Sequence, residues 1–294
     1  MRILALPRDP NPYQESLYRA MRRRGARVRY AGRLTPSRSL NILLLPLETA
    51  AFRLSGGRVV HLHWVYGFRP GGAGRWPLLA RAGRAWFGLW LALCRLLGVR
   101  LVWTAHNALP HAPVFPDDAE ARRALVRSCD LVIAHAPQAL GELAEIGCRP
   151  RRSALVPMGP ARPPGGPAPR PPVRAEGEPL RLLFFGKVEP YKGVEDLLDA
   201  LALVPAGADV ALTVAGECRD PGLAARLRAG AARAGRPVDL RLAAAPEDEV
   251  DALFARHHAV VLPFRRVTTS SSAALALEQA RPLVVPDLPG LAVL

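Results

Sequence analysis

The stretch "LRLLFFGKVEPYKGVEDLLDALALV", residues 180–204, contains a strand, a loop and a helix in succession. Its first six residues are mostly apolar, as in a buried strand, whereas apolar residues recur at helical spacing after Gly193. Gly186 ends the strand, and Lys187 and Lys192 are the only lysines among 40 basic residues. A glycine lets the backbone approach a ligand, and two ammonium groups before a helix N-terminus suit a phosphate. We predict a phosphate-binding loop here, with two ordinary surface lysines as the alternative.

The alternation of strands and helices continues on both sides of this unit. Apolar segments such as "RILALP" (2–7) and "DLVIAH" (130–135) precede it, and "DVALTVAG" (209–216) and "HAVVLPF" (258–264) follow it, each separated from the next by helical stretches. Such alternation predicts an α/β fold of parallel sheets with helices on both faces. In these folds the functional groups gather at the carboxyl ends of the strands.

A segment rich in proline and glycine, residues 157–179, interrupts the alternation. It cannot continue a helix or a central strand, so we predict a linker over 161–179. The linker separates an N-terminal domain (1–160) from a C-terminal domain (180–294). The chain stops at "GLAVL", where a further helix is expected, so we expect the second domain to be incomplete.

The basic charge lies in the first half of the chain. Residues 1–160 hold 24 arginines against nine carboxylate side chains, whereas residues 161–294 hold 16 of each sign. Such a one-sided field attracts an anionic membrane surface or nucleic acid. A general preference for arginine on solvated helices is the alternative.

The segment "RWPLLARAGRAWFGLWLALCR", residues 75–95, places aromatic side chains among arginines. This composition is typical of elements at a membrane interface, and a buried core helix is the alternative. Its apolar run is shorter than the roughly 20 residues that span a bilayer. The four cysteines form no C-x-x-C pair, which favours a reducing setting. We therefore predict a cytoplasmic protein, with peripheral contact to the inner face of the cell membrane as a further expectation.

Four motifs of the second half carry a family resemblance in their order and spacing. They are "GKVEPYKGVEDLLDAL" (186–201), "LTVAGE" (212–217), "EDEVDALFARHHAVVLPF" (247–264) and "ARPLVVPDLPG" (280–290). Together they resemble the nucleotide-sugar-binding domain of family-four glycosyltransferases of the GT-B fold. The resemblance implies two Rossmann-like, doubly wound domains that face each other across a cleft. It also implies a donor diphosphate held by Gly186, Lys187 and Lys192, and a nucleoside near Gly216 and Glu217.

One departure from the family concerns the donor ribose. With Pro282 set on the family's proline, Thr268 and Leu275 occupy the positions of its two glutamates. The preceding loop is instead rich in hydroxyls, and it resembles the "TSGS" loop of a bacterial mannosyltransferase-like branch. Hydroxyls and free N–H groups at a helix N-terminus suit phosphate oxygens, so we add three residues to the predicted diphosphate site: Thr269, Ser270 and Ser271. A plain helix cap is the alternative.

Histidines lie at strand ends of the first half. The segment "VVHLHWV" (59–65) puts His61 and His63 on one strand face, and "WTAHNALPH" (103–111) and "DLVIAH" end in further polar residues. Lone histidines are more often structural than catalytic. The resemblance extends through "NPYQESLYRAM" and implies that His106 faces the transferred sugar. It also implies acceptor contacts from the loop after Trp64 and from four residues: Asn11, Tyr13, His63 and Asn107.

The resemblance therefore implies transfer of a sugar, with mannose as the leading candidate, from a nucleotide-diphosphate sugar to a lipid-linked or polysaccharide acceptor. Family four retains the anomeric configuration, so that the leaving diphosphate takes the acceptor proton and His106 and Lys192 are the candidate catalytic residues. An inverting enzyme would need a carboxylate base, for which Asp9 and Glu15 are available. We predict no metal, no further cofactor and no nucleic-acid partner. The alternatives are a basic nucleic-acid-binding protein and a catalytically inactive GT-B remnant.

Overall fold

The computed structural model describes residues 1–9, 12–65, 77–110, 113–159, 170 and 172–292. The chain divides into two units, Met1–Gly159 and Pro160–Leu294. Each unit has its own parallel sheet and its own hydrophobic core. Residues 161–169 and 171 of the predicted linker lie outside the described residues.

The first unit contains a six-stranded sheet in the order β2-β1-β3-β4-β5-β6. The strands are β1 (Arg2–Leu6), β2 (Arg27–Tyr30), β3 (Val59–Leu62), β4 (Arg100–Ala105), β5 (Leu131–Ala134) and β6 (Ser153–Leu155). The helices are α1 (Pro12–Arg23), α2 (Arg38–Leu54), α3 (Pro77–Leu96), α4 (Asp118–Ser128) and α5 (Pro137–Glu145). Every pair of neighbouring strands is parallel. The strand order reverses at β1 and β3, which in this architecture is where ligands bind.

The second unit contains a five-stranded sheet in the order β11-β10-β7-β8-β9, again parallel in every described pair. The strands are β7 (Leu180–Phe185), β8 (Val210–Ala215), β9 (Val238–Arg241), β10 (Ala259–Val261) and β11 (Leu283–Val284). The helices are α6 (Val194–Ala202), α7 (Pro221–Arg233), α8 (Val250–Ala255) and α9 (Ser271–Glu278). The two sheets confirm the predicted α/β class of doubly wound parallel sheets.

Three elements, α2, α5 and β6, were not predicted from the sequence. The helix α2 contains Pro46 in its interior, where a proline normally breaks the hydrogen-bond ladder. The strand β6 has only three residues at the sheet edge, and its sequence carries no alternating apolar pattern. None of the described helices combines the length and the apolar character needed to cross a bilayer.

The helix α3 decides between the two interpretations of residues 75–95. Its aromatic side chains Phe87 and Trp90 are fully buried and pack in the core of the first unit. Trp86 is half-buried against α2. The aromatic residues therefore belong to a core helix, and the predicted aromatic membrane surface is absent from the described part of this segment.

A tryptophan compensates for the proline inside α2. Pro46 has no N–H, so the carbonyl of Ile42, four residues earlier, cannot receive its helical hydrogen bond. The indole Nε1–H of Trp86 donates to that carbonyl at 2.9 Å. One turn further along, Trp90 Nε1–H donates to Thr49 Oγ1 at 3.0 Å. The two bonds hold α2 and α3 side by side.

This arrangement predicts a measurable coupling between Pro46 and Trp86. Trp86→Phe leaves the Ile42 carbonyl without a donor and should cost about 1–2 kcal/mol of unfolding free energy. In a Pro46→Ala background the new N–H can donate to Ile42, so the same substitution should cost less by about 0.5–1 kcal/mol. Urea unfolding of the four variants measures the difference. Trp90→Phe is the control, since its bond to Thr49 does not involve Pro46, and equal coupling for both tryptophans would contradict the explanation.

Candidate functional site

Four histidines gather at the carboxyl edge of the first sheet. His61 lies within β3, and the others directly follow β3, β4 and β5: His63, His106 and His135. The ring centroids of His61 and His63 are 4.3 Å apart, and those of His106 and His135 are 5.2 Å apart. Alternate residues of a strand share a face, and parallel strands end at the same edge. The structure thus brings together the strand ends that the sequence analysis singled out.

Hydrogen bonds connect three of these histidines through Tyr18. The Tyr18 hydroxyl lies 3.0 Å from His61 Nδ1 and 2.8 Å from His63 Nε2. The second ring nitrogens of His61 and His63 also have partners, since His61 Nε2 is 2.9 Å from Thr104 Oγ1 and His63 Nδ1 is 3.2 Å from His106 Nε2. The bonds form one chain from Thr104 to His106. Tyr18 was missed by the sequence analysis, because an aromatic residue on α1 reads as an ordinary core residue.

His106 is the partly exposed member of the group, whereas the other three histidines are buried. Its ring stacks on Trp64 at 4.3 Å with an angle of 11° and has Tyr13 edge-on at 5.3 Å. Burial lowers the pKa of His106 to about 3, and the neighbouring His135 acts in the same direction. The ring is therefore neutral near pH 7, and it offers a hydrogen bond rather than a positive charge to a ligand.

His135 has a fixed tautomer. Its Nδ1 lies 2.8 Å from the carbonyl of Val156, which can only accept, so Nδ1 carries the proton. Its Nε2 is a buried acceptor with no hydrogen-bond partner among the described residues. Tyr13 packs edge-on against this ring at 4.9 Å.

Two further residues fix the loop that carries His106. The guanidinium of Arg122 on α4 is buried, and its Nε–H donates to the Ala108 carbonyl at 2.6 Å. It also lies over the Trp103 ring at 4.6 Å, and Trp103 Nε1–H donates to the His63 carbonyl at 3.1 Å. Burial lowers the pKa of Arg122 to about 10. Arg122 could not be singled out from the sequence, since it is one of many arginines.

The predicted acceptor residues have different surroundings. Tyr13 packs against His106 and His135, and Asn107 is partly exposed beside His106. Both ring nitrogens of His63 bond to protein groups, so His63 offers no nitrogen of its own to a ligand in this structure. Asn11 and the loop after residue 65 lie outside the described residues. The acceptor role of these residues stays a prediction.

In the second unit, the loop between β7 and α6 packs against the neighbouring strand ends. A Cβ at Gly193, which has φ +72°, would collide with the Pro263 carbonyl, and a Cβ at Gly186 would collide with the Ser272 hydroxyl. Gly216, which ends β8, approaches the Gly186 carbonyl equally closely. Only glycine allows these approaches. They bring the lysine loop, the end of β8 and the N-terminus of α9 to one place.

Lys192 takes part in this packing, since its Nζ is 4.3 Å from the Phe264 ring centroid. The residues next to these two are also joined, because the Tyr191 carbonyl accepts a hydrogen bond from the Arg265 N–H at 2.9 Å. Burial lowers the pKa of Lys192 to about 8, an effect that Glu189 opposes and Lys187 reinforces. Lys187 itself is exposed at the end of β7. The two lysines thus stand in different environments at the same strand edge.

The hydroxyl-rich loop caps α9. The Ser270 hydroxyl accepts the Ala273 N–H at 3.1 Å, so Ser270 is the N-cap and is buried. The cap does not exclude a ligand, since a hydroxyl that accepts one bond can still donate its proton. Thr269 is partly exposed and Ser271 is exposed, and their roles in diphosphate binding stay predictions. Leu275, at the position of the family's glutamate, packs against the core of the second unit.

A cavity of about 310 Å³ lies between the ends of β7 and β8. It is lined by Lys187, Val188, Glu189, Pro190, Glu217, Arg219 and Asp220. Glu217, predicted to contact the nucleoside, forms an ion pair with Arg219 at 2.9 Å, and this pairing lowers its pKa. Because the lining carries both signs of charge, the cavity suits a neutral group of a ligand better than it suits a bare anion.

Comparison with known proteins gives a family match in the second unit. Residues 179–294 match the family model described as glycosyl transferases group 1. A curated relative from Xanthomonas campestris pv. campestris, "GDP-mannose:glycolipid 4-beta-D-mannosyltransferase", is 33% identical over 108 residues. The match covers 37% of this chain and 30% of that protein, so it spans less than a third of the relative's length.

Solved structures resemble nearly the whole chain. Anabaena Alr3699/HepE in complex with UDP-glucose has a TM-score of 0.62 and 14% identity, over 99% of this chain and 82% of that one. The structure described as "Trehalose-6-phosphate from E. coli bound with UDP-2-fluoro glucose" has a TM-score of 0.65 and 12% identity, over 99% and 86%. The outer core galactosyltransferase WaaB gives 0.61 and 12%, over 97% and 80%. The likeness confirms the predicted GT-B fold class.

The environment of Lys192 predicts an unusual titration. Because its pKa is lowered to about 8, the ammonium should lose its proton as the pH rises through 8. In a Lys187→Arg variant Lys192 is the only lysine, so ¹³C-methylation of amines followed by NMR reports its titration without overlap from another lysine. The same variant in concentrated urea serves as the control and should titrate near the ordinary value of 10.5. Titration near 10.5 in the folded protein would refute the burial of this amine.

Proposed function

Because residues 179–294 match the family model described as glycosyl transferases group 1, we propose that this protein transfers a sugar from a nucleoside-diphosphate sugar to an acceptor. The observation that carries the proposal is the packing at Gly186 and Gly193, which sets the lysine loop beside the N-terminus of α9. Ammonium groups and unpaired N–H groups at a helix N-terminus both favour a diphosphate.

The chemistry follows from the charge that develops in transfer. As the bond between the anomeric carbon and the phosphate oxygen breaks, negative charge grows on the departing diphosphate. Lys187, Lys192 and the N-terminus of α9 would stabilise that charge. A bound diphosphate also favours the protonated form of Lys192 and so offsets the effect of burial on its pKa. The nucleoside would lie near Gly216 and Glu217.

Mannose and a lipid-linked acceptor are the finer parts of the proposal. They are supported by the name of the Xanthomonas relative, which acts on GDP-mannose and a glycolipid. A polysaccharide-linked acceptor is the other possibility raised by the sequence. The Anabaena and E. coli structures hold UDP or UDP-sugars, so the donor base has to be measured.

The stereochemical course is open to a direct test. Retention lets the leaving phosphate oxygen take the acceptor proton, whereas inversion needs a carboxylate base on the first unit. Asp9 follows β1, the neighbour of β3 in the sheet, whereas Glu15 on α1 is half-exposed and pairs with Arg22 at 3.7 Å. The relative's name specifies a β-mannosyl product, which makes the product's anomeric configuration the deciding measurement.

Exposed leucines on two helices of the first unit support a lipid-linked acceptor. The helices α2 and α3 expose leucines at helical spacing on their outer sides, and we name these residues the leucine face: Leu40, Leu43, Leu47 and Leu54 on α2, and Leu78, Leu89 and Leu96 on α3. If these leucines form one contiguous patch, such a patch marks an interaction site, whereas singly scattered exposed leucines need no explanation. The leucine face replaces the aromatic surface that the sequence suggested.

The charges around the leucine face favour an anionic bilayer over a second copy of the chain. The two helices, both fully described, contain several arginines and one carboxylate, that of Glu48. Glu48 is buried and bonds to Arg29 and to the Gly32 N–H. A second copy would bring arginines against arginines, whereas an anionic lipid surface complements them.

The donor site is tested first by binding and then by turnover. A thermal-shift panel of nucleotide sugars should show one that stabilises the protein, by about 2.7 kcal/mol at 100 times its dissociation constant. Lys192→Ala should weaken that donor by roughly tenfold or more, through loss of a charge-assisted bond. Arg233→Ala, an exposed charge loss in the last turn of α7, is the matched control. Absence of any stabilising nucleotide sugar would overturn the proposal.

The stereochemical test uses the same donor with a lipid-linked acceptor. NMR of the product gives the configuration of the new bond. With retention, Asp9→Asn should keep most of the turnover. With inversion and Asp9 as base, kcat should fall by about 10²–10⁴-fold. A fall of that size in kcat together with a retained configuration would exclude both retention without an enzyme base and inversion with Asp9 as the base.

The leucine face predicts binding to anionic vesicles. The protein should float with phosphatidylglycerol-containing vesicles but not with phosphatidylcholine alone, and a Leu47→Glu, Leu89→Glu variant should lose this binding. Leu203→Glu is the control, because Leu203 is 83% exposed but lies in the second unit. Equal flotation of the double variant would show that α2 and α3 do not form the docking surface, and salt-sensitive binding to duplex DNA instead would favour the nucleic-acid alternative.

A further inference from the structure

The hydrogen-bond chain on the first unit imposes a rule on its protons. It runs from Thr104 through His61, Tyr18 and His63 to His106. Each link joins two groups, and each link needs one proton. A hydroxyl has one proton and a neutral imidazole has one, so no group can donate to both of its neighbours.

Only two proton arrangements satisfy every link and also give the buried Tyr18 proton an acceptor within the chain. If Tyr18 donates to His63 Nε2, then His63 donates from Nδ1 to His106 Nε2, and His61 donates from Nδ1 to Tyr18. In that state all three histidines carry their proton on Nδ1. If Tyr18 donates to His61 Nδ1 instead, every direction reverses and all three carry their proton on Nε2. Any mixture of tautomers leaves a buried link without a proton or with two, or leaves the buried Tyr18 proton without an acceptor, and each of these is costly.

The outer end of the chain is the place where a ligand would meet it. His106 Nε2 belongs to the chain, and its Nδ1 has no hydrogen bond to a residue that the structure describes. In the first state Nδ1 is a donor, and in the second it is an acceptor. The state of the buried hydroxyl of Tyr18 thus determines what the partly exposed ring of His106 presents.

We propose that Tyr18 and His63 are positioning residues for His106, which hold its ring and couple its tautomer to those of His61 and His63. The matching ligand group is a hydroxyl, because a hydroxyl can donate to one state and accept from the other, whereas a carboxylate or an ammonium suits only one. This assignment of a sugar hydroxyl rests on the proposed glycosyl transfer. The coupling of the tautomers does not.

The surroundings keep the chain neutral. Burial lowers the pKa of His61 to about 4 and that of His63 well below its usual value, with further lowering of the latter by its neighbours His61, His106 and His135. At pH 7 each ring therefore carries one proton, as the counting requires. The hydrogen-bond chain also continues beyond Thr104, because the Tyr13 hydroxyl bonds to Thr104. The ring of the same Tyr13 packs edge-on against His106, at the other end of the chain.

The experiment is ¹⁵N NMR of the imidazole rings in the intact protein at pH 7, which separates Nδ1–H from Nε2–H tautomers. Three histidines outside the hydrogen-bond chain serve as internal standards for the two tautomers. His135 and His257 donate from Nδ1 to the carbonyls of Val156 and Leu253, whereas His258 Nδ1 accepts the Arg181 N–H, which leaves the proton of its neutral ring on Nε2. We expect His61, His63 and His106 to share one tautomer. A mixed set in the wild-type protein overturns the proposal.

The matched variants are Tyr18→Phe and Tyr30→Phe. Tyr18→Phe removes the hydroxyl that links the two halves of the chain, so His61 should no longer share the tautomer of His63 and His106. Tyr30→Phe removes a hydroxyl from the ring that packs on Tyr18 at 5.7 Å, outside the chain, and should leave the tautomers unchanged. Unchanged imidazole signals in Tyr18→Phe, or equal changes in both variants, would overturn the coupling.

Kinetics test the connection to transfer. With the donor found in the binding panel, Tyr18→Phe should lower kcat by roughly tenfold, the effect of losing one orienting hydrogen bond, while the donor KM stays within about twofold. Tyr30→Phe should leave both constants unchanged. Wild-type kcat in Tyr18→Phe would overturn the positioning role. If no sugar nucleotide is turned over, the proposed function fails, and the shared tautomer in the NMR spectrum still decides the coupling.

Discussion

Parallel strands require helical crossovers, and that constraint places the carboxyl ends of all strands in a sheet at one edge. In the first unit it gathers residues from β3, β4 and β5, far apart in sequence, into a group of four histidines. In the second unit it sets the lysine loop after β7 beside the ends of β8 and β10. The candidate sites of both units, and the helices that flank them, follow from this arrangement.

The polar groups brought together in this way must find partners, because an unpaired buried donor or acceptor is costly. The first unit meets the requirement with unusual partners. Tyr18 joins two histidines, the Trp86 indole serves the carbonyl that Pro46 leaves unpaired, and the Ala108 carbonyl receives a buried guanidinium. Each of these contacts also has a positional effect, since it orients His106 or holds α2 against α3.

The second unit differs from its family resemblance in a way that the packing makes understandable. The position of the expected glutamate is occupied by Leu275, whose side chain contributes to the core. The groups at this strand edge that could hold a diphosphate are positive charges and hydroxyls, with Lys192 over an aromatic ring and Ser270 capping α9. A donor bound here would be held mainly through its diphosphate, so the chain would depend on its two lysines more than a relative with the glutamate pair.

The sequence by itself determined the α/β class, almost all strands and helices, the GT-B resemblance and the strand-end histidines, because periodicity and glycine spacing are local properties. It could not predict α2, since the partner of Pro46 is a tryptophan 40 residues further along the chain. Nor could it show that Phe87 and Trp90 are buried while leucines form the exposed face, or that Tyr18 connects the histidines. Those features depend on contacts between distant segments, and such contacts exist only once the tertiary structure has formed.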